Sequence, residues 1–170
     1  MITWYRPIAI SVAAALWACE RPNQPEVDAA VAGFINAVVA DARQDYGPTA
    51  GRGPVLIDLP SFIARGKVFS PEPRMGGRGS LPNGVLAVRE KDAIRCSNVP
   101  PRCRVSKDGL YIRLDSLRMV GSDLEAVVTY AWTDRRPSGR SAIGYAQTRL
   151  GLQSSGAGWQ VKRRNLIWVT

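Results

Sequence analysis

Two aspartates and three tyrosines are the side chains of this sequence best suited to moving a proton. Asp58 closes the apolar run of VLIDL, Asp115 interrupts LYIRLDSLRMV, and Tyr111, Tyr130 and Tyr145 fall in the β-rich C-terminal third. A buried carboxylate facing a phenol can serve as base and oxyanion donor. The plainer reading is that tyrosines cover sheet faces with their hydroxyls in water, and that an aspartate beside a strand irregularity bonds backbone amides. The sequence has no histidine, which removes Ser-His-Asp and Cys-His activation of a nucleophile. Gly76-Gly77-Arg78-Gly79 lacks the strand–loop–helix setting and the Lys-Ser/Thr of a phosphate-binding loop. The expectation is no catalytic residue, no cofactor and no resident metal.

The three cysteines speak to compartment. Met1–Pro7 carries one positive charge, Arg6, and Ile8–Ala18 is an uncharged apolar run of eleven residues, the length of a signal-peptide h-region and too short to span a bilayer. It ends in Leu16-Trp17-Ala18-Cys19, which resembles the lipobox of bacterial lipoproteins, with Trp17 departing from the small residue usual there. The resemblance implies a signal peptide over 1–18, lipidation of Cys19 as the mature N-terminus, and a polar tether over 19–25. Glu20 is not the aspartate associated with inner-membrane retention, so the implied destination is the periplasm-facing side of the outer membrane. Secretion to the periplasm without a lipid, or retention through an uncleaved anchor, are the competing outcomes. With Cys19 lipidated, Cys96 and Cys103 remain as an even pair, read as a disulfide in an oxidising compartment. A zinc site is the alternative, but two thiolates without histidine do not fill a four-ligand shell.

The chain carries 23 Lys+Arg against 14 Asp+Glu; losing residues 1–18 removes only Arg6 and leaves an excess of eight. The cations cluster at Arg89, Lys91, Arg95, Arg102 and Arg104 around the cysteine loop, at Arg135, Arg136 and Arg140, and at Lys162-Arg163-Arg164. Such clusters keep a surface soluble and protect an edge strand. They also favour anionic neighbours, whether membrane or an anionic envelope polymer, with another envelope protein as a further candidate partner. Nucleic acid is not expected as a partner of an exported chain.

These residues must be held by a recognisable set of elements. Val27, Val31, Phe34, Ile35, Val38, Val39 and Ala42 recur at three- and four-residue steps and predict a helix over Glu26–Arg43, with Asn23 or Gln24 as cap and Gly47-Pro48 as stop. Val55–Leu59 reads as a short strand, Ser70–Gly84 as a flexible loop rich in Pro and Gly, and Val85–Ile94 as a short helix, with a strand as the alternative. Leu110–Val120, Leu124–Thr133, Ala142–Leu152 and Trp159–Thr170 read as four strands of a meander. In the second, Leu124, Ala126, Val128, Tyr130 and Trp132 share a face. A phase slip near Asp115-Ser116, and another between Val161 and Leu166, predict bulges.

A long helix, a variable middle and a curved four-stranded meander ending GWQVKRRNLIWVT together resemble the NTF2-like, cystatin-like superfamily. The resemblance implies a cone-shaped α+β domain over 26–170, with the helix packed on a four-stranded antiparallel meander. It also implies a pocket between them that Asp58, Asp115, Tyr130, Trp132 and Tyr145 would line. The expected role is a lipid-anchored, non-enzymatic binding or assembly-support module of the envelope. The alternative is a small-molecule carrier or an isomerase or dehydratase using the pocket.

Overall fold

A computed structural model of the chain describes residues 26–50, 53–66, 78–98, 101–135, 141–155 and 158–170. The expected signal peptide, Cys19 with its tether, residues 70–77 of the expected loop, and Arg136 and Arg140 lie outside the described residues. The elements run β1 (Glu26–Asp28), α1 (Ala29–Ala50), β2 (Val55–Asp58), α2 (Leu59–Gly66), β3 (Arg78–Ser80), β4 (Val85–Val88), α3 (Glu90–Ala93), β5 (Ile94–Asn98) and β6 (Pro101–Val105). A 3-10 turn (Ser106–Asp108) follows, then β7 (Leu110–Val120), β8 (Asp123–Arg135), β9 (Ser141–Ser155) and β10 (Gly158–Val169).

The apolar stripe of α1 is real: Val31, Phe34, Ile35, Val38, Val39 and Ala42 are all buried. Its ends differ from expectation. Glu26–Asp28 pair antiparallel with Arg78–Ser80, so the start of the expected helix is a strand, as is a short piece of the expected loop. Asp28 then accepts the Ala30 N–H through its side chain at 2.8 Å, satisfying one of the donors that a helix start leaves open. At the other end the helix continues through Gly47-Pro48 to Ala50. There Tyr46 packs against Tyr130 and Trp132, and such tertiary contact outweighs local helix-breaking tendency.

The main sheet overturns the expected cone. The described residues are mostly strand, and the main sheet is six-stranded and mixed, in the order β10-β9-β8-β7-β2-β4. The run β7 to β10 is antiparallel, but β2 enters beside β7 and runs parallel to both β7 and β4. The reason lies in VLID and VLAV, short apolar runs without alternation, the pattern of parallel strands covered on both faces. Val55 and Ile57 enter the core beneath α1, while Leu56 enters a second core on the reverse face. Val85–Ile94 is accordingly not one helix: Val85–Val88 is a strand, only Glu90–Ala93 is helical, and Ile94 opens β5.

Two further elements had no sequence forecast. Pro60, which ends the strand, sits in the first turn of α2, where a missing N–H is tolerated. Ser61 Oγ donates to the Asp58 carbonyl at 2.7 Å and ties that turn to β2. β5 and β6 form an antiparallel hairpin with Cys96 opposite Cys103, and the two cysteines lie at disulfide distance, with Sγ–Sγ 2.04 Å. The bulge expected near Asp115-Ser116 is present as a register shift between Leu114 and Ser116. β10 shifts between Val161 and Arg163 and again between Leu166 and Trp168.

Candidate functional site

The five residues expected to share a pocket are divided by the sheet. Tyr130 and Trp132 face α1 in the larger core, among Phe34, Val38 and Leu150. Tyr46 stacks on Trp132 with centroids 5.1 Å apart and lies 4.7 Å from the Tyr130 ring. Gly144, opposite Trp132 on β9, leaves the space this indole needs, since a Cβ there would sit 2.5 Å from the ring. Arg164 covers the outer side of Tyr46, 5.1 Å from its centroid, and pairs with Asp41 and Asp45. The Tyr130 hydroxyl reaches Asp41 at 3.5 Å, and burial, followed by the Asp41 charge, holds its phenol well above the ordinary value. This face is filled by side chains.

Asp58, Asp115 and Tyr145 belong to the reverse face. The bulge leaves Asp115 without a partner on β8, and its carboxylate, on the same side of β7 as Arg113, joins a network across three strands. Arg113 Nε donates to Oδ1 at 2.9 Å, while Thr129 Oγ1 and Gln147 Nε2 donate to Oδ2, the latter at 2.9 Å. The other end of Gln147 accepts Trp168 Nε1 at 3.1 Å, and Arg113 reaches Glu90 at 2.8 Å. The backbone groups freed by the bulge are met from α2: Ser61 Oγ accepts the Leu114 N–H at 3.1 Å, and Arg65 Nε donates to the Asp115 carbonyl at 2.8 Å. Asp115 is thus a bonded junction of the sheet.

Neither Asp58 nor the nearby phenols form an acid–base pair with it. Burial, then the Glu90 charge, raises the Asp58 carboxyl, with Arg113 and Arg65 opposing. Burial is also the first cause of the upward displacement of Tyr111 and Tyr145, so both phenols hold their protons at ordinary pH. The Tyr111 hydroxyl is buried without a hydrogen-bond partner among the described residues. Among those residues no group of three or more His, Cys, Asp or Glu could hold a metal ion, and no helix is long and apolar enough to cross a membrane.

What the reverse face does hold is a cavity of about 420 Å³ beneath the disulfide hairpin. Its apolar floor is Leu56 from β2 with Leu86 and Val88 from β4; Arg95, Arg104 and Lys107 line it beside Asp92 and Asp108. Arg95 and Arg104 stand directly opposite one another on the hairpin, a like-charge pair that costs roughly 0.2–1 kcal/mol. The adjacent rung is the Cys96–Cys103 bridge, which keeps the strands together. Lys107 and Asp108 adopt left-handed backbone, φ 56° and 49°, a conformation that costs non-glycine residues about 1 kcal/mol or more each. Close backbone approach locks that turn: a Cβ on Gly109 would meet the Pro54 carbonyl at 2.3 Å. Leu110 N–H donates to the same carbonyl, and Ser106 Oγ donates to the Asp92 carbonyl at 2.8 Å.

The other exposed feature is the outer edge of the sheet. β10 shows Leu166, Ile167, Trp168 and Val169 to solvent, each at least 40% exposed, just after Lys162-Arg163-Arg164. Of the three basic clusters, the hairpin cluster contributes Arg95 and Arg104 to the cavity, while Arg164 is drawn into the α1 contact. Sequence reading missed the cavity because its lining joins Leu56 of β2 to residues of β4, α3 and the hairpin that only the sheet pairing brings beside it. The one local signal was the spacing of Arg95-Cys96 and Cys103-Arg104, which a disulfide makes into facing arginines. No family model, curated protein or solved structure matches this chain.

Proposed function

We propose that this chain is an exported envelope protein, lipid-anchored through Cys19, whose folded part is a non-enzymatic binding or assembly-support module. The observation that carries the module reading is the division of the candidate acid–base residues: Tyr130 and Trp132 are sealed under α1, and Asp115 is committed to three side-chain donors on the other face. A carboxylate so bonded is an acceptor that holds structure and is not available as a general base. Export is supported by the leader with its lipobox-like LWAC and by the bonded Cys96–Cys103 pair, since such bridges persist in oxidising compartments. Anchoring would set the domain on the periplasmic side of the outer membrane. The excess of cations and the apolar end of β10 would then face anionic membrane or polymer, or another envelope protein.

Mass spectrometry of the protein made in a bacterial host tests the anchor. The expected product begins at an acylated Cys19; an unmodified peptide reading through Ala18-Cys19 would overturn it.

A further inference from the structure

We propose that the cavity beneath the disulfide hairpin is a binding site for an anionic amphiphile, an organic phosphate or carboxylate bearing a short apolar arm. The inference deepens the binding-module reading and rests on it, but it does not depend on the lipid at Cys19.

Three observations converge on this class of ligand. The lining has a cationic excess, Arg95, Arg104 and Lys107 against Asp92 and Asp108. Among the described residues no carboxylate lies in ion-pair range of Arg95, Arg104 or Lys107. Two facing guanidinium groups supply the forked donors that suit phosphate or carboxylate oxygens. An anion between these opposed residues would relieve their repulsion, so the ligand offsets a cost that the unliganded hairpin carries. The floor of Leu56, Leu86 and Val88 is apolar, which a bare inorganic anion would leave unused and an apolar arm would cover.

The site is also built in advance. The bridge at the neighbouring rung fixes the separation of the arginines, and the locked turn at Ser106–Gly109 holds Lys107 in a backbone conformation it would not choose alone. Strain retained where the surroundings over-determine it is a mark of binding and switch regions. Preorganisation of this kind lowers the ordering cost of binding.

Calorimetric titration of the full-length chain with hexyl phosphate, inorganic phosphate and hexanol tests the proposal. Hexyl phosphate is expected to bind about tenfold more tightly than inorganic phosphate, because its chain covers the floor; hexanol is expected not to bind. Arg104→Gln is expected to weaken hexyl phosphate about tenfold or more, as loss of a charge-assisted contact does. Unliganded Arg104→Gln should melt no lower than the parent, since it removes a like-charge pair. A lower melting temperature would make the arginine pair structural and overturn the site, as would equal affinity for the two phosphates or unchanged binding by the variant. Phosphatidylglycerol vesicles distinguish the source: competition with hexyl phosphate assigns the site to a lipid headgroup, and its absence to a free ligand. Acylated Cys19 with no anion bound ends the cavity assignment and leaves the anchored module; unmodified Cys19 with anion bound does the reverse.

Discussion

On one side of β8 the sheet presents Val128, Tyr130 and Trp132 to Phe34, Val38 and Tyr46, whereas on the other side Thr129 joins Arg113 and Gln147 around Asp115. Adjacent residues of one strand therefore serve two interiors of opposite character. The helix face is stabilised by area removed from water and by close packing. The reverse face combines a smaller apolar cluster with the hydrogen-bonded junction at Asp115, and it keeps a charged cavity open at one end. A filled face supplies stability, which allows the other to keep facing arginines and a left-handed turn.

Substitutions at four positions would sharpen or break this contrast. Phe34→Ala should have the largest effect, a loss of about 3–5 kcal/mol for a buried aromatic, measured by urea unfolding; a loss below 1 kcal/mol would mean that the face is not tightly packed. Asp115→Ala should cost about 2 kcal/mol by leaving three donors without their acceptor, and Asp115→Asn should recover part of it. Equal stability of Asp115→Ala and the parent would show that the reverse-face network is not structural. Tyr111→Phe should raise stability by about 1 kcal/mol, because it removes a buried hydroxyl without a described partner. A decrease would reveal a bond to that hydroxyl.

The smallest effect concerns Asp41, at the rim of the closed face. Burial raises its carboxyl, against the opposing influence of Arg164 and the Tyr130 hydroxyl. A folded pKa above the unfolded value means that the protonated form favours folding. The penalty of ionisation is absent below the unfolded value of 3.8 and complete above the raised folded value. Asp41→Asn should accordingly gain stability relative to the parent as pH rises through that window. A relative loss over the same range, in unfolding curves taken at several pH values, would make the Arg164 pairing dominant.

Much of the helix face was legible because its signal is periodic. The three- and four-residue steps from Val31 to Ala42 mark the buried stripe of α1, and alternation from Leu124 to Trp132 marks the side of β8 that meets it. The phase slip at Asp115 also pointed to a true bulge. Val85-Leu86-Ala87-Val88 leaves helix and strand both open, with helix preferred, because a short apolar run has no period to separate them; it is a strand. The parallel placement of β2 cannot be heard locally at all, since Val55 finds its neighbours at Val85 and Leu110. Asp58 and Asp115 looked like companions of Tyr130 until those pairings fixed which side of the sheet each occupies. The cavity lay beyond reach for the same reason.

The placement of β10 has a consequence in time. α1, near the start of the chain, packs against the last strand, and Arg164 is held by Asp41 and Asp45 of that helix. A ribosome releases the helix long before its seat exists, while the hairpins of β7 to β10 need only neighbouring sequence. Assembly should begin in the meander: its hairpins close first, and α1 and β2 dock onto it across long intervals of chain. Until β10 has joined the sheet, α1 lacks part of the surface it packs against.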